Sequence, residues 1–266
     1  MVTYISAMPI TDVETQKYSS INSAQTLSNE LDICKQINTH LQDRFSIKIA
    51  KTLEDKTAIY RLRYEIYVEE MQFSYSKNCQ LYIDHNNKTL TDSMDDNHEI
   101  LVYAIDNYQN KVIATVRINF PENSYIHFKN EYSVEEFYPY YPNFVSNTTK
   151  AMVHQDYRGR RITLELFKFV YQIYLQKGIV YDFIDCRLNL VDFYKKFGYR
   201  IYTNTFIHPY AGECMPMVLC TIDKEHLQKI RSPLFKLLEN FSSSLNDKNY
   251  ILSPFNQISI LNAHKN

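Results

Sequence analysis

Residues 153–163 read VHQDYRGRRIT, and the apolar spacing that follows predicts a long helix over 158–177. A strand predicted over 148–153 runs into this stretch, which therefore joins a strand end to a helix start. The free backbone N–H groups and the positive dipole end of such a helix favour a phosphate. A basic helix start on a solvated face explains the same pattern, so this stretch alone does not establish a phosphate site.

A second stretch, residues 189–199, reads NLVDFYKKFGY and lies one predicted strand downstream. Hydrophobic periodicity and turn residues predict the other elements in a largely alternating β/α order. These elements are an N-terminal helix from residue 26, a short strand 47–51, a helix 54–71, a long loop 72–97, a hairpin of strands 99–106 and 111–120, a strand 180–185, a short helix 190–197, strands 200–207 and 215–222, and a helical segment 224–241 that Ser232-Pro233 divides.

Together the two stretches resemble the GCN5-related N-acetyltransferase (GNAT) superfamily, whose cofactor loop reads R-G-x-G-x-G/A and whose next helix reads N-x-x-x-x-Y-x-K-x-G-F/Y. The resemblance implies an α/β protein with the GNAT (acyl-CoA N-acyltransferase) fold: a mixed, mostly antiparallel sheet flanked by helices, here with N- and C-terminal helical extensions. It implies that Tyr194 protonates a leaving thiolate. The cofactor-binding residues carried over from it are Val153, Arg158, Gly159, Arg160, Arg161, Ile162, Thr163 and Asn189.

This chain departs from the loop pattern, because Arg161 and Thr163 stand where the superfamily has small residues and Gly159 is the only glycine there. A longer resemblance, over residues 55–235, is to the N-acyl amino acid synthases and, more distantly, to the acyl-homoserine-lactone synthases of the same superfamily. The pieces that carry it are RYEIY at 63–67, DSMDD at 92–96, VIATVR at 112–117, HPYAG at 208–212 and PM at 216–217.

Relatives of this kind imply a long acyl chain delivered by acyl carrier protein (ACP), whose phosphopantetheine has one phosphodiester, or by acyl-coenzyme A. We expect an N-acyltransferase that moves this acyl group to the amine of an amino acid or a related acceptor, with the thioester as cosubstrate and no tightly bound cofactor. The basic loop then suits phosphopantetheine and the acidic surface of ACP. Three alternatives stay open: a short-chain acetyl-CoA transferase, a homoserine-lactone-type synthase and a noncatalytic GNAT-like binding module.

Acyl transfer to an amine needs a polarised thioester carbonyl, a deprotonated amine and a protonated leaving thiolate. We expect backbone N–H groups around Met152 and Val153 to polarise the carbonyl, and Tyr194 to supply the proton. Homoserine-lactone synthases carry an E-x-S-R-like motif on this strand, where this chain has NTTK at 147–150. Lys150 replaces the arginine there.

The carboxylate of that motif is missing, so the base is sought elsewhere in the chain. Asp95, Asp96 and Glu99 are the candidates, acting directly or through water. The acidic loop that contains them is also compatible with a simple solvated surface.

Two arginines in apolar elements, Arg63 and Arg117, are candidate substrate-carboxylate clamps, because a guanidinium binds a carboxylate through two parallel hydrogen bonds. Structural ion pairs are the alternative for both. His208 is a candidate base, but a histidine packed in the core or in a turn is the more common explanation of such a residue. Cys186 lacks a paired His or Asn motif, which argues against a nucleophile.

Composition limits the remaining possibilities. The 266 residues include 4 glycines and 5 scattered cysteines, and the net charge is −1. The chain has no basic excess for nucleic acid, no paired Cys spacing for zinc or disulfides, and no apolar run for a membrane span or an export signal. We expect a cytoplasmic protein without a metal, and the oligomeric state stays open. The expected organisation is an arm and helix (1–45), a GNAT-like domain with C-terminal helices (46–241) and a tail (242–266).

Overall fold

The computed structural model describes residues 44–72, 81–95, 99–121, 126, 129–137, 140–209 and 211–246. The predicted N-terminal helix and nearly all of the predicted tail lie outside these residues. The strands are β1 (Phe45–Ile49), β2 (Leu81–Asp84), β3 (Thr89–Asp92), β4 (Glu99–Asp106), β5 (Lys111–Asn119), β6 (Val145–Val153), β7 (Tyr181–Arg187), β8 (Arg200–Ile201), β9 (Phe206–His208) and β10 (Gly212–Cys220). The α-helices are α1 (Leu53–Tyr64), α2 (Arg161–Lys177), α3 (Val191–Phe197), α4 (Lys224–Lys229) and α5 (Phe235–Asn246).

One twisted sheet organises the described chain, with strand order β1-β4-β5-β6-β7-β10-β8 and β9 paired to β10. Strands β6 and β7 pair in parallel, whereas their neighbours pair antiparallel. This confirms the mixed, mostly antiparallel sheet. The predicted hairpin over 99–120 is also confirmed as β4 and β5.

The sheet has helices on both faces. Met152 packs into a cluster with α1 residues such as Ile59, whereas the next residue, Val153, packs into a cluster with α2 residues such as Leu166. Successive side chains of a strand point to opposite faces, so α1 and α2 cover opposite faces of the sheet. A third cluster of buried residues, rich in aromatic rings, includes Tyr132, Phe183 on β7 and Val218 on β10.

The prediction of a long loop over 72–97 is wrong in part, because β2 and β3 form a separate two-stranded sheet there. The Asp84 carboxylate accepts hydrogen bonds from the backbone of Asn86 and Asn87 and so stabilises the tight turn between the two strands. Leu90 on β3 is buried in the α1 cluster. The hairpin buries only one face, so its many polar residues resemble those of a loop in the sequence.

Other predicted boundaries shift by a few residues. Helix α2 starts at Arg161, because Gln155–Tyr157 form a 3₁₀ turn first. The predicted helix 54–71 is an α-helix only to Tyr64 and continues as a π-helix over Glu65–Glu70. The predicted strand 200–207 is divided into β8 and β9, and α5 extends to Asn246. Within the described residues, no helix has the length and apolar character of a membrane span.

Candidate active site

The parallel strands β6 and β7 pair only at their starts. Residues 145–147 pair with residues 181–183. Both strands are described over their whole length and continue to Val153 and Arg187 without pairing further with each other. An opening therefore separates their C-terminal halves, and the backbone edge of β6 faces it.

A β-bulge in β6 changes which side chains share a face. Between two register points with β5, strand β6 uses one residue more than its partner. Lys150 in this part of the strand has a φ of 50°, which is unusual for a residue with a side chain. As a result Thr149 and Lys150 both project to the α1 face. There Thr149 Oγ1 accepts a hydrogen bond from Arg117 Nε (2.9 Å), and Lys150 Nζ lies 2.8 Å from Asp92.

The backbone of Val153 faces the opening. His154 N donates to Ile113 O on β5 (2.8 Å), and alternate residues of a strand direct their N–H and C=O groups to opposite edges. The N–H of Val153 is therefore directed toward β7, and that of Met152 toward β5. Arg158 Nε donates to the carbonyl oxygen of Val153 (3.0 Å) on the same side. Of the two predicted carbonyl-polarising amides, Val153 is the one beside the opening.

The start of α2 offers donors for an anion. Gly159 has a φ of 70°, and Arg160, the N-cap residue, caps the helix with no side-chain hydrogen bond. Thr163 in the first turn is buried, and its Oγ1 has no hydrogen-bond partner among the described residues. Ile162 packs into the core and fixes the helix start on the sheet. A helix N-terminus with free N–H groups and a buried free hydroxyl suits a phosphate.

The three arginines of the loop have different surroundings. Each contacts another side chain in the structure: Arg158 binds Glu70 through both terminal nitrogens, Arg160 lies over the Tyr157 ring, and Arg161 donates to Glu165. Arg161 is 59 % exposed at its side chain, so its ion pair with Glu165 is weak and exchangeable.

Tyr194 lies on α3 and is fully buried among the rings of Phe167, Phe193 and Tyr199. The ring contacts fix its orientation. Asn189 is exposed in the 3₁₀ turn just before this helix. Cys186 is buried on β7, and burial raises the pKa of its thiol to about 12, which argues against a nucleophile. His208 is buried on β9.

A cluster of charged side chains is buried on the α1 face, next to the bulge. It brings together residues from α1, from the end of β3 and the turn after it, and from β4, β5 and β6. Its members are Arg63, Asp92, Asp95, Glu99, Arg117 and Lys150, hereafter the charged cluster. Five of them are sequence candidates. Asp92 is not among the base candidates but begins the acidic run that carries the resemblance, and Asp96 lies outside the described residues.

Two carboxylates of the charged cluster are held as anions. Asp95 accepts two hydrogen bonds from Arg63 Nη1 (2.7 Å each) and one from Arg117 (3.1 Å). Arg117 Nη1 also donates to Asp92 (2.5 Å). Although burial opposes ionisation, Lys150 and Arg117 lower the pKa of Asp92, and Arg63 lowers that of Asp95. Such carboxylates are poor proton acceptors near neutral pH.

Glu99 differs from both aspartates. Its carboxyl group is nearly inaccessible, accepts no hydrogen bond within the described residues, and lies 3.5 Å from Arg117 Nε. Burial raises the pKa of Glu99 to about 8. A carboxyl group with this pKa holds its proton at neutral pH and can exchange it with an amine. Among the predicted bases with described positions, Glu99 has the more suitable environment.

The charged cluster keeps donor capacity for a further anion. Nε and Nη2 of the buried Arg63 make no hydrogen bond within the described chain. The Tyr60 ring lies 5.3 Å from the same guanidinium and limits its movement. Buried donors of this kind are costly unless a ligand or water binds them.

The fold and this site define a class. The mixed, mostly antiparallel sheet flanked by helices is the fold of GNAT-type acyl-CoA N-acyltransferases, and solved structures of this fold are similar to the chain. They include FeeM, an N-acyl amino acid synthase from uncultured soil microbes (13% identity, TM-score 0.54, covering 73% of this chain and 98% of that one). They also include TofI in a ternary complex with an inhibitor and MTA (9%, 0.52, 72% and 98%) and MesI, a CoA-dependent acyl-homoserine lactone synthase (16%, 0.51, 71% and 95%).

The family follows from the sequence itself. The family described as N-acyl amino acid synthase FeeM matches residues 58–223, which include the charged cluster, the opening and α3. The chain therefore belongs to the FeeM N-acyl amino acid synthase family and is an N-acyltransferase. No protein in the search of curated sequences matches significantly. The resemblances to N-acyl amino acid synthases and to the GNAT fold are both confirmed.

Proposed function

We propose that this protein transfers a long acyl group from a phosphopantetheine thioester to the amine of an amino acid. The observation that carries the proposal is the arrangement around β6. Val153 faces the opening on one edge of the strand, and Lys150, three residues earlier and about 10 Å away along a strand, belongs to the charged cluster. A thioester at Val153 and a charged acceptor at the charged cluster would thereby lie against the same part of β6.

The donor side fits a single phosphate. The exposed Arg161 carries a side chain where a pyrophosphate would need close backbone approach, and the buried Thr163 hydroxyl would supply one donor to a single phosphate. This favours the phosphodiester of ACP-borne phosphopantetheine over coenzyme A. Arg160 and Arg161 at the exposed loop then lie where the acidic surface of ACP would approach. The description of MesI as CoA-dependent makes acyl-CoA the second donor to test.

The acceptor side fits an amino acid. The free edge of Arg63 would bind the acceptor carboxylate, with Arg117 and Lys150 as neighbouring positive groups. Because Glu99 is mostly protonated at neutral pH, two carboxylates face three basic side chains in the charged cluster, and an added carboxylate is tolerated. Glu99 itself would accept the proton of the acceptor amine.

The reaction then follows in one transfer step and its proton movements. Glu99 takes a proton from the ammonium group, and the free amine attacks the thioester carbon while the Val153 N–H donates to the developing oxyanion. The C–S bond breaks, and Tyr194 protonates the thiolate. No covalent enzyme intermediate is needed. Asp95, which two arginines neutralise, would hold those arginines in place rather than take the proton.

The test is mass spectrometry of products after incubation with acyl-ACP and acyl-CoA panels of several chain lengths and pooled amino acids. We expect an N-acyl amino acid, made faster from acyl-ACP of long chain. Rapid acetyl transfer, a lactone formed from S-adenosylmethionine, or donor binding without turnover would each contradict the proposal. The Arg63→Gln variant should raise the acceptor KM with little change in donor KM, and Arg61→Gln, an exposed change two residues away on α1, is the matched control.

A further inference from the structure

The π-helix that continues α1 directs two acidic residues to one side. In an α-helix, residues five apart are turned by about 140° from each other. The wider turn of a π-helix, with i→i+5 hydrogen bonds such as Met71 N to Ile66 O (3.0 Å), reduces this angle and brings residues five apart closer to one side. Glu65 and Glu70 are five apart, and both contact the loop between β6 and α2.

Glu70 binds Arg158 through two parallel hydrogen bonds, from Nη1 (2.5 Å) and Nη2 (2.6 Å). The remaining nitrogen of the same guanidinium, Nε, donates to the carbonyl oxygen of Val153 (3.0 Å). The Arg158 and Glu70 side chains are only 15% and 27% exposed, so solvent screens this pair less than a surface pair. Glu70, Arg158 and Val153 thus form a continuous chain of contacts that ends at the peptide beside the opening.

Glu65 holds the next residue of the loop. Its Oε1 lies 2.8 Å from His154 Nε2 and 2.9 Å from Lys111 Nζ. Burial by itself would raise the pKa of Glu65, but Lys111 and His154 lower it below its ordinary value. The backbone N–H of His154 remains bound to β5. The Val153–His154 peptide is therefore held at its carbonyl by Arg158 and at its N–H by β5, and the π-helix fixes both Arg158 and the His154 side chain.

We propose that Glu70 and Arg158 are positioning residues that fix the backbone of Val153, and with it the direction of the Val153 N–H, for thioester polarisation. Arg158 binds the Val153 carbonyl, which lies on the same strand edge as the Val153 N–H, and Glu70 keeps the guanidinium in place. The inference rests on the proposed acyl transfer at the opening. It gives Arg158 a role other than the phosphate contact that the sequence motif implies, since each of its three guanidinium nitrogens already donates a hydrogen bond in the structure.

The physical consequence concerns rate more than binding. An oxyanion donor acts only when it points at the developing charge, and the loss of one such donor costs about 10²–10³ in kcat. A misdirected donor retains part of this effect, so removal of the Arg158 contacts should lower kcat by about 10- to 100-fold. Donor KM should change by less than about threefold, because the phosphate is held at the α2 start.

The experiment compares Arg158→Gln, Glu70→Gln and the double swap Glu70→Arg/Arg158→Glu with wild type, in thermal stability, kcat and donor KM. The swap keeps an ion pair but removes the donor to the Val153 carbonyl, so it should recover the stability lost in the single variants without recovering kcat. Glu69→Gln is the matched control. Glu69 is the neighbouring residue of the same π-helix and pairs on the surface with Lys88.

A second measurement needs no substrate. Hydrogen exchange of the amides over 153–158 in the free protein should accelerate in Arg158→Gln and Glu70→Gln and stay unchanged in Glu69→Gln. Unchanged exchange in all three variants would overturn the inference, as would a raised donor KM at constant kcat or a swap that restores kcat. Failure of the proposed function has a different signature, because wild type itself would then form no N-acyl product from any donor.

Discussion

Replacement of Glu99 by glutamine tests the proposed base. Glutamine keeps the shape of the side chain but cannot accept the amine proton. Because the pKa of Glu99 is raised to about 8 by burial, roughly a tenth of the wild-type carboxyl groups are ionised at pH 7 and about nine tenths at pH 9. We therefore expect wild-type kcat/KM for the acceptor to rise about tenfold over this range. Glu99→Gln should lower it by about 10²–10⁴-fold and remove the rise.

The same residue affects stability with a defined sign. A carboxyl group whose pKa is raised in the folded state binds more protons folded than unfolded between its unfolded pKa, about 4.5, and about 8. Wild-type stability should therefore fall across this pH window, whereas Glu99→Gln lacks this contribution. We expect Glu99→Gln to unfold at a higher temperature than wild type at pH 8, with a smaller difference at pH 5, measured by calorimetry.

Two controls separate Glu99 from other groups that titrate. Asp95→Asn removes a neighbouring carboxylate whose pKa is lowered, so it should reduce activity while keeping a pH rise. The midpoint of that rise should lie below the wild-type one, because the Asp95 charge adds to the effect of burial in raising the pKa of Glu99. If Glu99 sets the pH dependence of kcat/KM, acceptors whose amines differ in pKa should all give the same midpoint of this dependence, near pH 8. A Glu99→Gln variant that keeps the wild-type pH dependence, or a midpoint that follows the amine, would refute Glu99 as the base.

Four further changes address the donor side. Tyr194→Phe should lower kcat by about 10²-fold with the fold retained, because the leaving thiolate loses its proton donor, and wild-type rates would exclude this role. Thr163→Val should raise the donor KM about tenfold at unchanged kcat, and an unchanged KM would place the phosphate elsewhere. The Arg160→Glu/Arg161→Glu variant should lose ACP-dependent turnover about tenfold at low salt and less at high salt, whereas salt-independent kinetics would exclude charge steering. Gly159→Ala should lower Tm by a few degrees, since a φ of 70° costs a residue with a side chain about 1–2 kcal/mol, and circular dichroism melting measures this.

The sequence predicts the fold well where periodicity is strong. The β4–β5 hairpin alternates clearly, and α2 has an apolar stripe that ends at Gly178, whose φ is 68°. The β2–β3 hairpin was missed, because its residues are polar on the exposed side and Asn-rich in the turn. The switch from α- to π-helix at Glu65 was also missed, since an apolar stripe at 3.6-residue spacing gives no sign of a wider turn.

The sequence indicated most members of the charged cluster but not the contacts between them. The sequence indicated Arg63, Arg117 and Lys150 as separate candidates, but its spacing does not show that they meet in one buried group or that aspartates tens of residues away bind them. It likewise gave no sign that Glu70 binds Arg158 across 88 positions of sequence. Long-range ion pairs of this kind depend on the sheet register, which no local pattern contains.

The bulge in β6 explains why the charged cluster and the opening beside Val153 lie next to each other on one strand. In a regular strand, Thr149 and Lys150 would point to opposite faces, and Lys150 would be directed toward the α2 core instead of Asp92. The extra residue also resets the alternation, so that Val153 packs its side chain on the α2 side while its backbone edge faces the opening. One additional residue in β6 thus determines both the position of Lys150 in the charged cluster and the direction of Val153. Deletion of Lys150 would therefore be expected to disturb the acceptor and donor sides together, whereas Lys150→Met, which keeps the chain length, would disturb the acceptor side alone.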